Sequence, residues 1–298
     1  MDDLEARFGK GERVAFVEHL GGLVATLSFA GARASVAVKG AQVLTYEPAG
    51  QEDVLWIATG ARLDAQRAPR GGIPVCWPWF GPHPSIPQRP AHGFVRLRPW
   101  QVVAANADEE GTGITLAFAS RDCGAEDALD ARAEIEVTLR SDRLDVALTT
   151  INTGVGALTF SEALHTYLRV SDIAAVRVLG LSERRYIDKL ANDAIGVGER
   201  AIEVSGEIDR IYQDTRDAVD VDDGRRRIRV SKSGSLSTVI WNPWIDKSRR
   251  LGDMSEGEYR RMICVETANA GKNLVTLAPG ERHRMIASLA LVSTGGKP

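Results

Sequence analysis

Apolar and polar residues alternate with a period of two along much of the chain. RASVAVKGAQVLTYEP (33–48) and GITLAFAS (113–120) both alternate in this way, the first running into a turn. AEIEVTLRSDRLDVALTTIN (133–152) is the clearest case: two alternating runs meet at Ser-Asp-Arg, which predicts a hairpin with a short loop. RIRVSKSGSLSTVIWNPW (227–244) and HRMIASLALVST (283–294) extend the pattern toward the C-terminus. Alternation places every second side chain on one face of a pleated strand, so each run predicts a strand with one buried face. Helical spacing appears only in fragments, as around GEYRRM (257–262). Short strands cut by turn signals roughly every ten residues predict a large antiparallel sandwich or barrel with few short helices. No linker or compositional break divides the chain, so residues 1–298 are expected to form a single all-β domain.

One segment departs from the pattern. RGGIPVCWPWFGPHPSIPQRPAHGFVRLRPW (70–100) is too rich in proline and glycine for a long helix or an unbroken strand, yet it carries three tryptophans and several charges. Loops held by a rigid scaffold are where binding and catalysis concentrate. A weak echo of its WPWFGP occurs at WNPWIDK (241–247). Both place two tryptophans around a proline. Such turns either pack as core corners, the favoured reading, or line a sugar pocket, because aromatic faces suit the apolar faces of pyranose rings.

Composition narrows the field. Of 298 residues, 44% are hydrophobic and 26% charged, ordinary for a globular protein with a sizeable core. A net charge of −3 gives no electrostatic footprint for nucleic acid or an anionic membrane. DDGRRRIRV sets its arginines beside acids and is expected to be a solvated hairpin. The opening MDDLEARFGKGERV lacks an apolar core, so no secretory leader is expected, and no window nears the roughly 18 apolar residues of a spanning helix. Cys76, Cys123 and Cys264 are odd in number and far apart. They predict no disulfide framework, and Cys76 and Cys264 sit in apolar runs that suit buried thiols. A reducing, cytoplasmic setting is expected.

Nucleotide loops, HExxH and GxSxG motifs are missing from the sequence, and its five histidines show no metal-ligand spacing. An enzyme of this composition would work with side-chain acids and bases alone, without a cofactor. His165 lies in FSEALHTYLRV and is expected to point off a strand near the middle of a sheet, either as a hydrogen-bonded core histidine or as a reactive one. Glu266 follows an apolar run in RMICVETANA, where a carboxylate is either paired structurally or tuned as a base. Asp209 in GEIDRIY either caps a turn, pairs with Arg210 or serves a ligand. Arg70 and Arg96 are either surface residues or a clamp for a dianion.

The ordered set RGGIPVCWPWFG, PAHGFVRLRPW, SEALHTYLRV, YIDKL, DRIY, WNPW and VETAN resembles the hexose-6-phosphate mutarotases (glucose-6-phosphate 1-epimerases) of the aldose 1-epimerase, galactose mutarotase-like superfamily. The resemblance runs from about residue 30 to the C-terminus and implies an antiparallel β-supersandwich. It implies Glu266 and His165 as the catalytic acid–base pair, Arg70 and Arg96 as phosphate binders, His92 as a contact near the ring oxygen, and Asp209 as a sugar-hydroxyl ligand. One departure is Ala91, where some relatives carry glutamine. The implied activity is cofactor-free interconversion of the α and β anomers of a hexose 6-phosphate, by a monomer. The alternatives are an epimerase of free sugars and a non-catalytic carbohydrate-binding regulator, which would be expected to lack one member of the pair. In this scheme a carboxylate and a histidinium exchange protons with O1 and O5, so Glu266 is expected to be ionised, partly solvated or hydrogen-bonded.

Overall fold

A computed structural model describes residues 1–64, 67–122 and 129–292. The predicted alternation becomes burial: along Ala131–Leu139 every odd position is buried and every even one is partly exposed. That strand pairs with Arg143–Asn152 across the short loop, Leu139 opposite Leu144, as the sequence predicts. Both belong to a nine-stranded sheet that also contains Arg227–Ser233 and Arg282–Val292. An eight-stranded sheet is ordered Ala194–Val197, Arg185–Asp188, Ile208–Gln213, Ser237–Asn242, Met262–Asn269, Glu162–Leu164 and Val75–Cys76, with Tyr167–Arg169 also paired to Met262–Asn269. A four-stranded meander, Val14–His19 to Gln42–Glu47, completes the main layers. Every pairing between these strands is antiparallel.

One apolar cluster draws on all three sheets, including Val36, Val137, Leu148, Ile240, Ile263, Val265 and Leu289. Each fully buried Val, Leu or Ile stabilises by roughly 1.5–3 kcal/mol before entropy is counted. The all-β sandwich class expected from the sequence is therefore the fold observed.

The run 227–244 forms two strands in different sheets: Arg227–Ser233 lies in the nine-stranded sheet and Ser237–Asn242 in the eight-stranded one, so the chain crosses between layers at 234–236. The second tryptophan turn opens a helix, Trp244–Leu251, that the strand pattern upstream concealed. A short helix also covers Asp2–Phe8, while GEYRRM forms a 3-10 turn over Glu258–Arg261. In the basic hairpin, Arg227 pairs with Asp222, but Arg226 turns inward to the carbonyls of Glu52, Asp53 and Arg169.

Candidate active site

Two rows of side chains cross the outer face of the eight-stranded sheet and build a cleft. The register places Ile187 opposite Ile211, Ile211 opposite Val239, and Val239 opposite Glu266. One pleat away, Asp209 lies opposite Trp241, Trp241 opposite Cys264, and Cys264 opposite Tyr167. On the central strand Met262–Asn269, Ile263 and Val265 point into the core while Cys264 and Glu266 point outward. His165 sits in a break between Glu162–Leu164 and Tyr167–Arg169, which both pair with the central strand. The register is unbroken across that gap, Leu164 opposite Thr267 and Tyr167 opposite Cys264, which sets His165 beside Glu266. Antiparallel neighbours on one face lie close enough to interact. His165 Nε2 is 3.4 Å from Glu266 Oε1.

The proline-rich segment covers this face from the other side. Pro74 O accepts from the His165 backbone N–H. His92 has a φ of 65° and is followed by Gly93, where a Cβ would stand 1.9 Å from the Trp77 carbonyl oxygen. Only glycine allows that approach, so the HG dipeptide is a backbone requirement that aims His92 into the cleft. The RGG glycines serve the same end: a Cβ on Gly72 would lie 2.1 Å from Val43 O. Trp77 is fully buried and Trp79 nearly so, and Trp77 Nε1 donates to Thr150. The first tryptophan turn is thus core. In the second, Trp241 lines the cleft, edge-on to His165 at 6.0 Å.

The cleft has a volume of about 670 Å³, and all six singled-out residues, Arg70, His92, Arg96, His165, Asp209 and Glu266, line it. Glu266 corrects one expectation. It lies inside a strand, is 1% exposed, and its Oε2 has no hydrogen-bond partner among the described residues. Burial, with a smaller push from Asp209, holds its carboxyl well above the usual range. His165 is stacked on Tyr167 at 4.7 Å, and its Nδ1 is also unpartnered. Burial first, then the electrostatic influence of His92 and of the Arg96 and Arg70 cations, keep it well below the ordinary histidine value. Both shifts favour the neutral forms, a carboxylic acid beside a neutral imidazole, which share one exchangeable proton as a carboxylate–imidazolium pair would.

His92 is also neutral, pushed down to about 3 by burial and by Arg96 and Arg70. Its Nδ1 accepts from the Gly81 N–H at 3.3 Å, which leaves the ring proton on Nε2. Arg70 donates to Asp253 at 2.6 Å and to the Tyr167 hydroxyl at 3.2 Å. Arg96 donates to the carbonyl of Ala91 at 2.8 Å, a contact indifferent to the residue type at 91, while its Nε is buried without a partner. Asp209 does not pair with Arg210, which turns to Glu199; its nearest cation is Lys247 at 3.9 Å. Burial raises the Asp209 pKa despite Lys247 and Lys189. Sequence reasoning missed Lys189, Lys247 and Lys272, which also line the cleft, because isolated lysines, two in turns and Lys247 on the helix Trp244–Leu251, carry no pattern. Cys76 and Cys264 are buried free thiols as read; Cys123 lies outside the described residues. No helix among the described residues is long and apolar enough to cross a membrane.

Known proteins resemble this chain in sequence and in fold. The sequence pattern of the aldose 1-epimerase family matches residues 24–289. A protein of Escherichia coli K12 named "Putative glucose-6-phosphate 1-epimerase" is 35% identical over 243 residues, 80% of this chain and 81% of that one. A plant protein of the same name, from Cenchrus ciliaris, is 31% identical over 87% of this chain and 81% of its own. A Salmonella typhimurium crystal structure described as a "putative mutarotase" superposes with a TM-score of 0.88 at 28% identity, covering 96% of each chain. Galactose 1-epimerase of Lactobacillus acidophilus shares the fold at a TM-score of 0.73 and 13% identity, over 94% and 98% of the two chains.

Proposed function

The chain belongs to the aldose 1-epimerase family, and from that premise we propose that it interconverts the α and β anomers of a hexose 6-phosphate. The observation that carries the reading is the His165–Glu266 pair, 3.4 Å apart on a cleft floor, with two arginines lining the same cleft. Mutarotation opens a hemiacetal: a proton leaves the O1 hydroxyl and another reaches the ring oxygen O5. The aldehyde turns about C1–C2 and the ring closes on its other face. A pair that holds one proton always contains one acid and one base, so it serves both opening and closure. Each such transfer contributes a factor of about 10²–10⁴ in rate.

The surrounding residues support the same reading. The His92 Nε2–H is a fixed donor for a sugar oxygen. The Trp241 and Tyr167 rings offer apolar walls to a pyranose. Asp209, raised by burial, is relieved by hydrogen bonds from sugar hydroxyls. Arg70 is already paired with Asp253, so Arg96, with its unpartnered Nε, is the stronger anchor for the phosphate. A phosphate dianion there offsets charges that depress His165, so substrate binding makes the imidazole a better proton acceptor.

The test is exchange NMR on the anomeric protons of glucose 6-phosphate, with and without the protein and with glucose as a control. Faster exchange for the phosphate ester alone is expected. Equal acceleration of both sugars removes the phosphate from the proposal, and no acceleration by folded protein removes the catalysis.

A further inference from the structure

A sugar accounts for the open atoms of His165 and Glu266, but not for the thiol beside them. Cys264 precedes Glu266 by two on the central strand, so the pleat puts both on the same face, and it is the register partner of Tyr167 and Trp241. One donor atom each from His165, Cys264 and Glu266 lies within 4.8 Å of the other two, and all three residues are buried. His165 Nδ1 and Glu266 Oε2 are buried with no partner among the described residues. Imidazole, thiolate and carboxylate are the three ligand types of protein zinc sites, and a tetrahedral centre holds such atoms about 3.5 Å apart. Modest side-chain rotation closes that difference, with no change in strand register.

We propose that His165, Cys264 and Glu266 form a three-ligand site for Zn²⁺, entered from the cleft, and that zinc bound there blocks the proton-exchanging pair. The metal displaces the thiol proton and the carboxyl proton to solvent and is held by a neutral imidazole. Two anionic ligands balance the dication, so the buried complex carries no net charge, which suits a low-dielectric pocket. Its fourth position faces the cleft, where water completes the shell. Zinc and substrate are therefore mutually exclusive on these residues, and release of two protons makes binding tighter as pH rises. The binding part stands on geometry alone; only the loss of turnover rests on the anomerase reading.

The experiment titrates the folded protein with Co²⁺ and follows the near-ultraviolet thiolate-to-cobalt band and the visible bands of a tetrahedral centre. Zn²⁺ then competes against a chromophoric chelator. One equivalent of metal, a thiolate band, and its loss in Cys264→Ala with a zinc affinity about 100-fold weaker or worse are expected. Cys264→Ser serves as a second variant if the alanine form is unstable. Absence of the band in folded protein overturns the site, as does a band that survives in both Cys264 variants. Turnover should persist in Cys264→Ala and become insensitive to zinc; turnover lost in both folded variants, or zinc inhibition unchanged in them, overturns the inhibitory role. A protein that binds cobalt through Cys264 but turns over no sugar keeps the metal site and removes the proposed activity instead.

Discussion

Glu162 and Glu266, on the neighbouring strands Glu162–Leu164 and Met262–Asn269, each belong to a histidine–glutamate pair, one toward each face of the eight-stranded sheet. His165 and Glu266 face the cleft. Three residues away along each strand, Glu162 and Asn269 are also register partners, and an odd step turns them to the opposite face. There Glu162 Oε1 lies 2.9 Å from Asn269 Nδ2 and 3.2 Å from Nε2 of His283, which reaches across from the nine-stranded sheet. Each glutamate has one oxygen without a partner, so that feature does not separate the pairs. The histidines do. His283 also contacts the Gly234 carbonyl at 2.9 Å, and its hydrogen bond to Glu162 lifts its pKa above the ordinary value. His165, unsupported and among cations, is held well below it. The same two residue types thus form a cross-sheet tie in one place and the proposed proton-exchanging pair in the other, because their neighbours differ.

The largest effect that tests this contrast is on turnover. Glu266→Gln and His165→Ala are each expected to lower kcat about 10²–10⁴-fold on the anomerisation substrate, with circular dichroism unchanged. Glu162→Gln is expected to leave kcat near its original value. A Glu162 variant as inactive as the Glu266 one, yet folded, would collapse the distinction between the two pairs.

That distinction marks where sequence reading stops. Alternation revealed the strands because one-sided burial writes itself into residue order, as along Ala131–Leu139. It does not say which strands pair: at 227–244 both strands alternate alike yet belong to different sheets, because partner choice depends on residues far away in the chain. The site residues were named through ordered motifs, and all six line the cleft. The surroundings of Glu266 were misjudged, since its burial arises from rows contributed by four strands and from the 70–100 loop. The inner pair went unnoticed, because nothing near His283 in sequence announces Glu162.

A second, smaller effect sharpens why the cleft histidine is depressed. Arg96→Ala removes one of the charges acting on His165, so its pKa should rise, as read by NMR titration of the imidazole. The same variant should raise KM for a hexose 6-phosphate about 10–100-fold, one charge-assisted contact of roughly 1.5–3 kcal/mol, while kcat changes less. An equal loss with unphosphorylated sugar would exclude Arg96 from the phosphate contact.

The inner pair should register in stability instead. Glu162 is fully buried, so Glu162→Gln, which leaves the His283 and Asn269 donors poorly matched, is expected to cost about 1–3 kcal/mol in urea unfolding. The pH dependence has a definite sign. A histidine whose folded pKa is raised binds its proton more tightly in the native state. Its stabilisation is complete below the unfolded value of about 6.5 and disappears as pH climbs through the raised one. The stability gap between the original protein and His283→Asn should therefore be wider at pH 6 than at pH 9. A gap that widens toward pH 9 would mean that His283 is held neutral like His165, and the two pairs would then differ in place but not in kind.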